Sequence, residues 1–395
     1  MPTFYNFREN GLDYSFDDIF VPAELFREGN LFTWGSGSNG ILGNATIINT
    51  STPVTTFAGG TNWKQVSGGR EHTAAIKTDG TLWTWGTGFS GRLGNAVGTG
   101  SISTPVTTFA GGTNWKQVSG GNSHTAAIKT DGTLWTWGSG GNGRLGNGAT
   151  TGSISTPVTT FSGGTNWKQV SSGNSHTAAI KTDGTLWTWG SGSQGKLGNA
   201  VTTGNISTPV TTFAGGTDWK QVSSGVSHTA AIKTDGTLWI WGAGGYGRLG
   251  NATTTNVSTP VTTFSGGTNW KQVSSGYNNA HTAAIKTDGT LWTWGNGANG
   301  RLGNAVTTNV STPVTTFAGG TNWKQVSGGI SHTAAIKTDG TLWTWGSGNS
   351  GRLGNAVIAG NISTPVTTFA GGTNWKQVSS AYFHTSALTY IDPVI

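Results

Sequence analysis

The chain has 395 residues, of which 9% are charged, with 67 Gly, 20 Trp, 15 Phe, no Cys and a formal net charge of +7. Disordered chains are poor in aromatic residues, so this content excludes disorder despite the glycine, and the missing Cys excludes disulfides, thiolate metal sites and cysteine nucleophiles. No apolar run approaches about 18 residues, so no helix spans a membrane, and no basic stretch followed by an apolar core marks a signal peptide.

Residues 1–30 differ from the rest. They hold two basic groups (Arg8, Arg27) against six acidic ones (Glu9, Asp13, Asp17, Asp18, Glu24, Glu28), whereas residues 31–395 hold 20 basic and 9 acidic. Phe4, Tyr5, Phe7, Tyr14, Phe16, Phe20, Leu25 and Phe26 give this segment too many apolar groups for a solvated tail. Residues 22–28 suit a short helix, with Pro22 in its first turn and Gly29-Asn30 ending it. We expect a docking arm that either caps the following domain or seats on another subunit, with those eight residues as its contacts.

From Leu31 the sequence repeats. Leu-(Phe/Trp)-(Thr/Ile)-Trp-Gly begins at Leu31, Leu82, Leu134, Leu186, Leu238, Leu291 and Leu342. His-Thr-Ala-Ala-Ile recurs at His72, His124, His176, His228, His281 and His332, and returns as His384-Thr-Ser-Ala-Leu. Trp-Lys-Gln-Val starts at Trp63, Trp115, Trp167, Trp219, Trp270, Trp323 and Trp375. Each unit reads as four short strands, because alternation with Trp and β-branched residues suits sheet better than helix. In one unit these are strand A (115–119), strand B (124–129), strand C (134–137) and strand D (156–161). Asp131-Gly132 marks a tight B–C turn. Pro157 cannot donate to a ladder, so strand D is an edge.

Radially repeated four-stranded units are propeller blades. The first unit begins at strand C and the last ends after strand B. The two termini therefore complete one blade between them, and no open edge is left. The predicted fold is all-β: a seven-bladed β-propeller over residues 31–395, closed by N- and C-terminal strands sharing one blade, with a short arm at 1–30.

Val-Ser-x-Gly-x-x-His-Thr-x-Ala, then Asp-Gly-x-Leu-x-x-Trp-Gly, then Gly-x-Leu-Gly and a Pro-Val segment resemble the regulator-of-chromosome-condensation repeat. The resemblance implies a seven-bladed propeller. That family includes a guanine-nucleotide exchange factor, chromatin binders and scaffolds, and fold alone does not decide among such roles. The near-identical units and the aromatic arm also resemble propeller proteins of marine bacteriophage particles. This second resemblance implies a non-enzymatic virion protein held to other virion proteins through residues 1–30. The alternative is a cytoplasmic protein-interaction scaffold or a chromatin- or nucleic-acid-associated propeller.

No motif demands chemistry. Gly-x-Gly-x-x-Gly follows strand C in each unit, as at Gly138 to Gly143, but no helix follows to receive a phosphate. Each unit carries one His, whereas zinc needs three or four converging ligands, so a structural His bonding the A–B turn is expected. Asp79, Asp131, Asp183, Asp235, Asp288 and Asp339 repeat identically, whereas a catalytic pair needs two environments. We expect no enzyme activity, no metal and no cofactor. Arg92, Arg144, Lys196, Arg248, Arg301 and Arg352 form a basic ring, read as solvated surface rather than a phosphate site. Nucleic acid is not an expected partner.

The units differ mainly in two places. One is the A–B turn: Arg70-Glu71, Asn122, Val226, Tyr277-Asn278-Asn279, Ile330 and Tyr382-Phe383. The other is the C–D connection: Phe89, Asn142 and Tyr246. In an up-and-down blade both lie on one face of the ring. Individual loops on a rigid scaffold suit recognition, so these residues form the candidate recognition face, toward a host-surface glycan or protein.

Overall fold

Burial on both sides explains strand B and alternation explains its neighbours. In His124–Lys129 every residue before the lysine is buried, and its paired alanines let adjacent blades approach. Leu134–Ser139 turns Trp135 and Trp137 to one side, and both rings pack edge-on against Trp115 of strand A, at 6.2 and 6.1 Å. The computed structural model describes residues 28–161, 163–277 and 281–390. Its seven sheets each have four antiparallel strands in A-B-C-D order. Strand D, here Ser153–Thr159, is the outer edge, and its pairing with strand C shifts between Ile154 and Val158, around Pro157. Strand D begins and ends earlier than the sequence suggests, because Phe161 belongs to the next connection.

The core lies between blades. Ala74, Ile76 and Leu82 of one blade meet Trp115, Val118, Ala127 and Trp137 of the next. The same grouping closes the ring on both sides of the shared blade: Leu31 and Leu388 pack with Trp63, Val66 and Trp85, while Trp34, Trp375 and Val378 pack with Ile336 and Leu342. The first strand, Glu28–Gly35, pairs with the last, His384–Tyr390, with Leu31 opposite Leu388 and Gly35 opposite His384. After strand C the chain passes between blades, where Gly94 takes φ +67°. A Cβ there would lie 2.7 Å from Trp137 Nε1, so no other residue fits.

Two circuits of side-chain bonds tie strand A to strand A around the axis. Each Gln reads the backbone of the next blade as a strand would. Gln65 Nε2 donates to Val118 O at 2.9 Å, and Val118 N donates to Gln65 Oε1 at 2.8 Å. Gln117, Gln169, Gln221, Gln272, Gln325 and Gln377 repeat this, the last returning to Val66. Likewise Ser67, Ser119, Ser171, Ser223, Ser274, Ser327 and Ser379 each accept, on Oγ, an amide N–H of the following blade at 2.8–3.0 Å.

Candidate functional site

The A–B turns and C–D connections meet at one end of the ring, because Gly86 at the end of strand C sits opposite His72 at the start of strand B. Each C–D connection opens with a three-residue 3-10 turn, followed in six of the seven by a cation and in the first by Ile41. Arg92 Nε donates to Phe89 O at 2.9 Å, and its Nη1 donates to Asn122 O, in the next blade's A–B turn, at 3.2 Å. Arg144 does the same to Gly141 O and Asn174 O, and Arg301 to Ala298 O and Ile330 O. Lys196 Nζ reaches Ser175 Oγ at 3.3 Å. The basic ring is therefore not solvated surface: all six side chains are buried beneath the face, where backbone carbonyls, or the Ser175 hydroxyl at Lys196, replace water. Burial lowers each of their pKa values, and Arg301, with Arg352 nearby, falls to about 10, still charged at neutral pH.

The structure brings together Arg70, Glu71, Phe89, Asn122, Tyr382 and Phe383 at one sector of this face. Glu71 lies 3.4 Å from Arg92 and 3.6 Å from Arg70. The Arg70 guanidinium covers the Tyr382 ring at 4.9 Å, and Tyr382 meets Phe383 edge-on at 4.5 Å. Phe89 is 55% exposed. Tyr246, 41% exposed, stands apart in another blade with Arg248 over its ring, and holds φ +62°. Asn142, Val226 and Ile330 are half-buried and spread round the ring. Asn278 and Asn279 lie outside the described residues, as do the arm contacts Phe4, Tyr5, Phe7, Tyr14, Phe16, Phe20, Leu25 and Phe26 and the expected helix from Pro22 to residue 27; Glu28, Gly29 and Asn30, expected to end that helix, instead open the first strand, where Glu28 pairs with Tyr390.

Tyr277 differs from its sequence reading. It is not displayed outward: its hydroxyl crosses the axis and donates to Gly120 O at 2.9 Å, with Gly68 O at 3.4 Å. Full enclosure of that hydroxyl raises its pKa to about 12, although the rest of the ring remains partly accessible.

The histidines are structural, but their partner is the neighbouring blade rather than the A–B turn. His72 Nε2 meets Thr125 Oγ1 at 2.8 Å, and the pattern continues through His124–Thr177, His176–Thr229, His228–Thr282, His281–Thr333 and His332–Thr385 to His384–Thr73. All seven are fully buried, and desolvation lowers their pKa values, to about 3 for His176, His281 and His384. Among the described residues no group of three or more His, Cys, Asp or Glu could hold a metal.

The opposite face carries a feature that reading the differences between units passed over. Phe57, Phe109, Phe161, Phe213, Phe264, Phe317 and Phe369 follow strand D and are each 69–72% exposed. The signal was present, since a phenylalanine recurs in an otherwise polar turn of Thr and Gly. Identical units conceal it from any search for what varies.

Residues 30–387 match the family model described as the RCC1-like domain. The ultraviolet-B receptor UVR8 of Arabidopsis thaliana is 32% identical over 206 residues, 51% of this chain and 46% of the receptor. The human E3 ubiquitin-protein ligase HERC2 is 33% identical over 170 residues, 42% of this chain and 4% of the ligase. The alignments thus span less than half of these curated relatives. Among solved structures, yeast RCC1 (Prp20) bound to Kap60 superposes with TM-score 0.79 at 18% identity, covering 99% of this chain and 97% of that one. Human WBSCR16 superposes with TM-score 0.78 at 19% identity, covering 91% and 98%. At these identities the likeness shows the fold alone.

Proposed function

The chain belongs to the RCC1-like domain family, and from that premise we propose that it is a non-enzymatic protein-interaction propeller that holds an acidic protein surface against its A–B and C–D face. One observation carries this reading. The face holds seven cations, namely Arg70, Arg92, Arg144, Lys196, Arg248, Arg301 and Arg352, and among the described residues Glu71 is the acid beside them. Six of the cations are buried, five against carbonyls and Lys196 against the Ser175 hydroxyl, so their field reaches the surface with little solvent screening, and such fields attract partners of opposite sign. On the opposite face an aspartate stands in each intact B–C turn beside a lysine, so both signs mix. Exposed Phe89 and Tyr246 supply aromatic anchors of the kind that dominate protein interfaces.

Yeast RCC1 (Prp20), which shares this fold, is itself found bound to a protein, Kap60. The curated relatives are plant and mammalian receptor and ligase chains, which favours the interaction-scaffold reading over display on a phage particle. The particle reading keeps as its support the arm 1–30 and the near-identity of the units. Affinity capture with cross-linking tests the proposal. A Phe89→Ser/Tyr246→Ser/Arg70→Glu variant loses partners that the wild-type chain captures, while Phe109→Ser/Phe213→Ser on the other face keeps them. The reverse pattern would move the binding surface to the phenylalanine ring.

A further inference from the structure

Six blades share a closure that the shared blade replaces. In each of the six, strand B ends in a lysine whose ammonium covers two indole rings. Lys77 Nζ lies 4.8 Å from the Trp63 ring and 4.7 Å from Trp83, and Lys129, Lys181, Lys233, Lys286 and Lys337 repeat this at 4.3–5.2 Å. The B–C turn then sets a glycine carbonyl against the next blade, as Gly80 O accepts from Trp115 N at 3.0 Å. In the shared blade Thr389 stands opposite Trp375 as Lys77 stands opposite Trp63. Phe32 takes the place of the second Trp, its ring 5.4 Å from Trp375. Strands B and C come from opposite termini there, so no turn joins them. Trp63, of the next blade, is fully buried, yet its backbone N–H has no acceptor among the described residues, and buried N–H groups are normally paired.

All of this converges where residues 1–27 join the ring. Glu28 opens the first strand at the B–C end, opposite Tyr390, and Asn30 lines two open pockets there. One, of about 310 Å³, is walled by Phe32, Trp375, Thr389 and Gly371, the other, of about 240 Å³, by Leu31, Gly59, Gly60 and Trp63. Exposed Phe57 and Phe369 lead into these glycines. Residues 20–27, Phe-Val-Pro-Ala-Glu-Leu-Phe-Arg, carry what the place calls for. They bring apolar groups for the pocket walls and carbonyls for Trp63 N–H. Arg27 can stand over aromatic rings as the lysines do. Glu24 can answer Lys324 and Lys376, which lie over the Tyr390 ring at 5.5 and 5.6 Å. Water would satisfy the N–H but leave the apolar walls wet, whereas a tethered segment at high effective concentration covers both. We propose that residues 20–27 fold back onto the phenylalanine-bearing face at this seam, with Arg27 over the Phe32–Trp375 pair in place of the lysine.

The chain has no Cys, so introduced pairs report this seating in the full chain. Leu25→Cys/Thr61→Cys, oxidised with copper–phenanthroline, should cross-link within one chain about tenfold faster than Leu25→Cys/Phe89→Cys, whose second position lies on the cationic face. Thr389→Lys gives the shared blade the cation of the other six. Circular dichroism should then stay unchanged while the Leu25→Cys/Thr61→Cys cross-link forms about fivefold more slowly, because Arg27 has lost its place. Arg27→Ala should slow it likewise. Cross-linked dimers would put the segment on a second copy, and equal rates for the two pairs would leave it unseated; either result overturns the proposal. Unchanged rates in the Thr389→Lys and Arg27→Ala backgrounds would overturn it equally.

Discussion

Thr125 has one proton and gives it to Arg92 O at 2.8 Å, so its oxygen must accept from His72 Nε2. The imidazole is therefore the neutral Nε2–H tautomer, with Nδ1 buried and unpartnered, as at all seven histidines. Thr125→Val keeps the shape but strands that N–H, and denaturant titration should show a loss of about 1–3 kcal/mol. Acid acts on the whole set. The folded pKa values lie below 6.5, at about 3 for His176, His281 and His384, so the unfolded chain binds protons that the fold refuses. Stability is full above about pH 6.5 and falls as pH drops toward about 3. Seven such groups give a slope on the order of 10 kcal/mol per pH unit. That exhausts a typical stability of about 5–15 kcal/mol within two units, so circular dichroism should report steep unfolding near pH 5; a fold intact at pH 4 contradicts this account. Tyr246 shows the other use of a residue. Its φ of +62° is unfavourable for a tyrosine, so Tyr246→Asn should gain roughly 1 kcal/mol while weakening partner capture.

At the scale of elements, closure depends on one borrowed strand. Every described strand lies between Glu28 and Tyr390, so removal of residues 1–27 should leave the thermal transition of the propeller in place. Removing residues 28–35 instead exposes the edge of His384–Tyr390 and takes Leu31 and Trp34 out of two cores. Cooperative melting should then be lost, since Trp→Ala alone costs about 3–5 kcal/mol in a core. The glutamine circuit makes a subtler claim. Gln169→Leu leaves Val222 N and Val222 O without their partners from the neighbouring blade, and should destabilise by about 1–3 kcal/mol despite the added apolar group. A neutral result would show that water replaces the glutamine there.

The whole molecule presents two unlike ends. One is cationic, individual from blade to blade, and stapled by buried arginines; the other repeats an exposed phenylalanine and mixes lysine with aspartate. If the cationic end meets an acidic partner, association slows as salt rises, because screening shortens the reach of the field. Stopped-flow at two ionic strengths should show a reduced on-rate with a smaller change in off-rate. The opposite partition would mean that apolar contacts, with the phenylalanine ring foremost, govern encounter.

The blade count, the strand order and the shared blade were legible because each unit states its own hydrophobic pattern seven times. Leu82, Trp83 and Trp85 disclose their faces by spacing alone, and the positions of Leu31 and His384 disclose the closure. What a side chain touches in the next blade was not legible. The histidines reach threonine hydroxyls, and Arg92, Arg144 and Tyr277 reach backbone carbonyls, all 30 residues or more away and placed only once the ring has closed. Arg92 reads as surface because nothing local would bury a guanidinium. It is buried because Phe89 O and Asn122 O, from two blades, converge on it. Local pattern determines elements and their order, since those depend on near neighbours; packing decides which polar groups meet, since that depends on the distance between blades.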